Sequence, residues 1–242
     1  MGLLGRVKSR LPERWRTRLA RWRRPRSLYL LFSPSTGPLS HYAGRERGNP
    51  IDRYYIETFL ADNATLVRGR CLEVKDALYT TRFGGDRATQ RDVLDINTDN
   101  PRATIVGDLR HLTAVADDAY DCFICTQTLQ YVDDLGAAVC ECYRILKPGG
   151  ALLVTLPCLG KVEGLEKNVG GNFWRFTPHA ARYLFAQAFP EAQLDIKSWG
   201  NARAGMAFWI GLAQEDVPRR QLMEHDPAFP VIVTVRATKP GG

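Results

Sequence analysis

The stretch from Tyr120 to Pro157, YDCFICTQTLQYVDDLGAAVCECYRILKPGGALLVTLP, changes its hydrophobic period twice. Asp121 to Cys125 is a short apolar run entered from an acidic turn (Asp117, Asp118) and reads as a buried strand. From Leu135 to Leu146 the apolar residues Leu135, Val139, Tyr143 and Leu146 fall at helical spacing, with Glu141 and Arg144 free to face water. Lys147-Pro148-Gly149-Gly150 supplies a cation, a helix breaker and a glycine free to take positive φ, so the helix ends there. Ala151 to Leu156 is a second continuous apolar strand. A strand, helix and strand of this length make the right-handed parallel crossover of an open α/β sheet.

The rest of the chain extends that unit. Three strand candidates precede it, Arg70–Val74, Asp92–Ile96 and Thr104–Val106, and each carries or is followed by an acid: Glu73, Asp95 and Asp108. In a parallel sheet the carboxyl ends of the strands border the ligand crevice, so the three acids converge on one rim. Carboxylates there can accept both hydroxyls of a ribose, and a backbone N–H beside the third can pair with an adenine edge. The bland alternative is that each acid caps a turn or a helix. A helix is expected from Pro50 to Leu60. Beyond the central unit, Gly170–Phe176 is an aromatic loop, Thr177-Pro178 opens a helix running to about Ala188, Gln193–Trp199 and Val231–Ala237 are the last strands, and Arg203–Gln214 between them is a helix covering the sheet.

With 242 residues and 45% hydrophobic content the chain can bury one medium-sized core with an appendage. The net charge of +7 is uneven: Met1–Arg26 holds ten basic residues against Glu13 alone, leaving the remainder at −2. The basic balance belongs to the tail and gives no reason to read the core as a nucleic-acid binder. Within the tail, Leu4, Val7, Leu11, Trp15, Leu19 and Trp22 recur at steps of three or four. Such a basic helix can lie in an anionic membrane interface, where each nearby cation is worth about 1 kcal/mol; a solvated arm is the alternative. The expected organisation is a tail (1–26), a Ser-, Pro- and Gly-rich linker (27–49) and a domain (50–242). No apolar run approaches the roughly 20 residues of a membrane span. The six cysteines lie in expected strands and a helix, which suggests reduced thiols and a cytoplasmic protein. Cys122-x-x-Cys125 lacks the further ligands of a zinc site, and strand alternation turns its two thiols to opposite faces.

The motifs GRCLEV, DVLDIN, GDL, DCFICTQTLQYVDD and RILKPGGALLVTLP together resemble those of the class I S-adenosylmethionine-dependent methyltransferases of the type 11 kind. PIDRYYIETFL, YTTRFGG, TQTLQYV, NFWRFTP and VIVTVRA further resemble a bacterial subfamily associated with glycan and glycosyltransferase systems. The resemblance runs from about Asn49 to the C-terminus. It implies a Rossmann-like, doubly wound α/β sheet of about seven strands, mostly parallel with an antiparallel last strand. It also implies S-adenosyl-L-methionine as cofactor. Glu73 takes the place near the methionine part, Asp95 that of the ribose-binding acid, Asp108 with Leu109 that of the adenine contact, and Gln127 lines the transfer pocket; Val74, Asp76, Tyr79 and Ile96 are further cofactor-binding candidates. Gln130, Trp174 and Arg175 are the candidates for acceptor binding. The family's glycine-rich turn after the first strand is replaced here by Val74-Lys75-Asp76-Ala77-Leu78-Tyr79. A cation at Lys75 repels a sulfonium unless it points away.

Methyl transfer from a sulfonium is governed by in-line positioning of the two substrates and requires no metal. His41, His179, Asp76 and Glu73 are candidate bases, none singled out by spacing, so the catalytic residue stays unassigned. The resemblance implies O- (or N-) methylation of a saccharide or glycolipid-linked acceptor, as in polysaccharide biosynthesis, and the basic tail would keep the protein at the inner face of the membrane. The alternative is a methyltransferase-like module that has lost catalysis and acts by interaction. A nicotinamide enzyme is disfavoured because the G-x-G-x-x-G turn is missing.

Overall fold

The computed structural model describes residues 36–162 and 171–241. The expected tail, 1–26, and the part of the linker up to residue 35 lie outside the described residues. In chain order the elements are α1 (Ile51–Asp62), β1 (Gly69–Val74), β2 (Ala88–Asp95), β3 (Ile105–Val106), β4 (Tyr120–Thr126), α2 (Leu135–Ile145), β5 (Leu146–Pro157), α3 (Pro178–Phe185), β6 (Leu194–Trp199), α4 (Ala202–Trp209), α5 (Arg219–Met223) and β7 (Ile232–Thr238). Contacts group these residues into two compact units. Of the described residues, the larger holds 55–162, 171–199 and 230–241, and the smaller holds 36–54 and 200–229.

The larger unit is built on one seven-stranded sheet in the order β3-β2-β1-β4-β5-β7-β6. Neighbours are parallel except β7, which runs antiparallel to both β5 and β6. This is the expected α/β architecture with its reversed last strand. The central strands are apolar on both faces, and Leu72, Phe123, Ile124, Leu152 and Val154 are fully buried, as helices on both sides of a parallel sheet require. Cys125 joins the core cluster with Phe123, while Cys122 pairs with Cys71 across β1 and β4, so the two cysteines do face opposite ways.

The central unit has the expected elements with one difference. Lys147–Gly150 does not separate helix from strand: β5 begins at Leu146, which pairs with Tyr120, and its register resumes only at Ala151 opposite Cys122. The four residues between form a bulge. Gly149 has φ +78°, and a Cβ on Gly150 would lie 2.8 Å from the Lys147 carbonyl oxygen and 2.9 Å from that of Tyr120. One glycine is needed for its backbone and the other for close approach. Asp134 caps α2 by accepting from Ala137 N at 2.9 Å, and Thr177 caps α3 from Ala180 N at 3.1 Å. α3 ends at Phe185, short of Ala188, where the chain turns to set Phe189 edge-on to Tyr143 at 5.0 Å.

In the smaller unit α4 stops at Trp209 and not near Gln214, because Gly211 takes φ +80° and Leu212 N donates to the Ala207 carbonyl at 2.8 Å. Arg47 Nε donates to Asp216 Oδ2 at 2.8 Å, and both side chains are buried (8% and 0% exposed). Ala213 N donates to the same oxygen at 3.1 Å.

Candidate active site

The strand order reverses between β1 and β4: from β1 the chain moves outward to β2 and β3, from β4 to β5 and beyond. In open α/β sheets the crevice outside such a switch point, at the carboxyl ends of the strands, is where ligands bind. Glu73 and Val74 end β1, Asp95 ends β2, and Gln127 follows the last residue of β4. Four anomalies of local chemistry meet there.

Glu73 is buried, and its two oxygens accept from Tyr79 N (3.0 Å) and Thr80 N (2.7 Å). Burial outweighs these bonds and pushes its carboxyl up to about 7. The carboxylate thereby folds the turn after β1 back onto the strand. Lys75 takes φ +77° in that turn, with its N–H on the Leu94 carbonyl (2.8 Å) and its own carbonyl held by Asn100 Nδ2 (2.8 Å). Its side chain is exposed, so the ammonium stays hydrated. Asp76 Oδ1 accepts from Leu78 N at 3.0 Å, an Asx turn that brings Tyr79 to its buried position.

Asp95 uses one oxygen for Asn97 N (2.9 Å) and the other for Asn100 Nδ2 (2.6 Å). A carboxylate offers about four acceptor sites. Asp95 therefore keeps capacity for two more donors, the number a ribose brings. Beside it Ile96 is 70% exposed, and Leu78, in the turn leaving the adjacent strand, 59%. These are apolar surfaces at the rim. Asp108 is engaged by Arg110, whose Nη2 lies 2.5 Å away and whose Nη1 reaches Asp133 Oδ1 at 2.7 Å. The Arg110 guanidinium holds the Asp108 carboxyl below its usual range. Leu109 is buried.

On the β4 side Gln127 takes φ +48°, with its N–H on the Thr155 carbonyl at 2.9 Å. Gln130 is 5% exposed; its Nε2 donates to the Gln127 carbonyl (2.8 Å), and its carbonyl accepts from Phe173 N (2.8 Å). Its Oε1 is buried with no hydrogen-bond partner. Turning the amide over would set two carbonyl oxygens against each other, so the orphan atom is the oxygen. Trp174 Nε1 donates to the Val132 carbonyl (2.8 Å), fixing the indole with 40% of the residue exposed. It borders a shallow depression of about 470 Å3 with Asp133, Asp134, Leu135, Leu184 and Gln187. The Arg175 guanidinium donates to Asn172 Oδ1 (2.5 Å) and to the carbonyls of Trp174, Gly160 and Lys161 (2.8, 3.2 and 2.7 Å). It ties the two loops together. His41 and His179 are both exposed.

Comparison with known proteins agrees with this geometry. Residues 85–154 match the family model of the methyltransferase domain. The chain resembles an S-adenosylmethionine-dependent methyltransferase from Archaeoglobus fulgidus at 12% identity and TM-score 0.52, over 77% of this chain and 94% of that one. The fold is that of the S-adenosylmethionine-dependent methyltransferases. A Haemonchus contortus phosphoethanolamine N-methyltransferase solved with S-adenosyl-L-methionine is similar at 12% identity and TM-score 0.52, over 89% of this chain and 56% of that longer one. The [4+2]-cyclase SpnF is similar at 18% identity and TM-score 0.50, over 78% and 81%. Among curated proteins none matches the chain.

The methyltransferase fold brings Glu73, Val74, Asp76, Tyr79, Asp95, Ile96 and Gln127 to the ends of three neighbouring strands, with Asp108 and Leu109 beyond β3. The spare capacity of Asp95 and the exposed Ile96 and Leu78 fit a nucleoside, and the orphan Gln130 oxygen is open to a donor on the acceptor side. Leu78, exposed at the rim, escaped the sequence reading, as did three polar participants. Asn100, five residues after Asp95, braces both Asp95 and the Lys75 carbonyl. Arg110, two residues after Asp108, occupies it. Thr155, buried in β5, holds Gln127. Only Arg110 left a sequence signal, an Asp-x-Arg spacing that suits a turn.

Proposed function

We propose that the chain is an S-adenosylmethionine-dependent methyltransferase acting on a hydroxyl, or an amine, of a saccharide or glycolipid-linked acceptor. The observation that carries the reading is the concentration of unfavourable features at the β1–β4 crevice: two left-handed non-glycine residues, Lys75 and Gln127, and the unpartnered Gln130 oxygen. Each costs on the order of 1–3 kcal/mol and such costs gather at functional sites. When bound, S-adenosylmethionine supplies a sulfonium methyl: the acceptor's lone pair forms the new bond as sulfur takes back the C–S pair, and the acceptor's proton passes to water. Asp95 would take the ribose hydroxyls, Ile96 and Leu78 would cover the adenine, and the amino group would lie beside Glu73 and the turn it folds. Gln130 and Trp174 orient the acceptor, while Arg175 holds the loop that carries Trp174. The saccharide class is supported by the depression beside Trp174, where an anchored indole face adjoins Asp133, Asp134 and Gln187, as a sugar ring with its hydroxyls requires.

The second reading, an inactive interaction module, draws on Lys75 standing where a glycine would let a cofactor approach, and on Asp108 being occupied by Arg110. The fold itself leaves both open. Incubation with methyl-labelled S-adenosylmethionine and a panel of saccharides and polyprenyl-linked glycans distinguishes them. Label is expected in a sugar hydroxyl, with transfer reduced in Trp174→Ala. Label only in other acceptors would overturn the saccharide class, and cofactor binding with no transfer to any acceptor would favour the inactive module.

The basic segment 1–26 is part of the proposal: its charge and apolar stripe suit peripheral attachment to the cytoplasmic face of a membrane.

A further inference from the structure

Helix α4 is built inside out. Its small residues Ala204, Gly205 and Ala207 are buried, while Met206 is 52% and Trp209 60% exposed, three residues apart on one face that also presents Arg203. A surface helix ordinarily turns its large apolar side chains inward. On α5 Leu222 is buried, while Met223 is 66% exposed beside the exposed Arg219 and beside Arg220, which pairs with Glu224 at 3.2 Å. Asn201, the N-cap of α4, fixes the two helices together by donating to the carbonyls of Gln221 and Glu224, both at 2.7 Å.

We propose that this face of α4 and α5 is a membrane-docking surface that seats Met206, Trp209 and Met223 in the interface of an anionic bilayer. The inference rests on the attachment proposed for segment 1–26 and adds a second contact to it. The composition is interfacial: tryptophan prefers the headgroup region, and arginines at its edge meet anionic lipid. The same chain carries a net +9 in its first 26 residues, which favours the same surface. Among the described residues no helix is long and apolar enough to cross a membrane, so the contact is peripheral. A second copy fits less well. Even counted as fully exposed aromatics, the three side chains would offer at most roughly 500 Å2, and at 52–66% exposure they offer less, below the ~800 Å2 per partner of a stable interface.

The test is sedimentation of the full chain with vesicles of phosphatidylglycerol and phosphatidylcholine, compared with phosphatidylcholine alone. Met206→Glu/Trp209→Glu, and the neutral pair Met206→Gln/Trp209→Gln, should each weaken binding at least tenfold while keeping the wild-type melting temperature. Tyr183→Glu, at an exposed aromatic of the larger unit, should bind as wild type. Neutralising the tail with R14Q, R16Q, R18Q and R21Q separates the two contacts. If that variant loses binding but both face variants bind within twofold of wild type, the docking surface is refuted and the tail reading stands. If the face variants lose binding and the tail variant does not, the docking surface stands and the tail reading falls. Face variants that turn a dimer into a monomer without vesicles would overturn the proposal in favour of a second copy.

Discussion

Replacing Glu73 by glutamine tests the account of the β1 turn through its pH dependence. The carboxyl is raised from 4.5 to about 7 by burial, despite two backbone donors. A group whose folded value is raised contributes stability that is fully present below the unfolded value and lost as pH rises through the folded one. The difference between about 7 and 4.5, at 1.36 kcal/mol per pH unit, comes to about 3 kcal/mol lost by wild type between pH 4.5 and 7.5. The amide of the Glu73→Gln variant cannot ionise, so its stability lacks this component at every pH. It keeps one carbonyl oxygen for the N–H groups of Tyr79 and Thr80, so one donor loses its acceptor at a cost of about 1–3 kcal/mol. Glu73→Gln is therefore expected to be less stable than wild type near pH 4.5 and equal to it or more stable near pH 7.5. Urea unfolding at closely spaced pH values measures the difference between the two proteins, in which other titrating groups cancel. Parallel profiles across this window would refute the reasoning.

Other perturbations follow from the same geometry. Lys75→Gly removes a left-handed non-glycine residue worth about 1–2 kcal/mol against a glycine cost of roughly 0.5–1 kcal/mol, and calorimetry should show a melting temperature unchanged or a few degrees higher. Arg47→Ala leaves Asp216 buried without its cation and is expected to cost about 3–5 kcal/mol in chemical denaturation. Gly150→Ala forces a Cβ against two carbonyl oxygens and should lower the melting temperature. A cofactor ammonium beside Glu73 would lower its pKa, so binding of S-adenosylhomocysteine should release protons below pH 7 and tighten as pH rises. Calorimetry in buffers of different ionisation enthalpy detects that release.

Much of the sheet was legible because its signals are local. The buried runs of β1, β4 and β5 and the caps at Asp134 and Thr177 depend on residues within a few positions of each other. The acids Glu73, Asp95 and Asp108 could be placed on one rim because strand direction alone decides it. Their states could not. That Glu73 serves two backbone donors and Asp108 serves Arg110 depends on turns whose shapes arise from Lys75 and Gly107 to His111, where sequence gives no periodicity. The Lys147–Gly150 bulge was read as a turn because glycine and proline punctuate both. The orphan oxygen of Gln130 reflects the loop around Phe173, forty-three residues away, and no local pattern announces it.

The most direct test of the central claim is isothermal titration of the protein with S-adenosylmethionine and S-adenosylhomocysteine, repeated with Asp95→Ala. The account predicts micromolar binding of both ligands, weakened at least tenfold in Asp95→Ala with its melting temperature retained. No heat and no thermal stabilisation from either ligand, or equal affinity in Asp95→Ala, would contradict it.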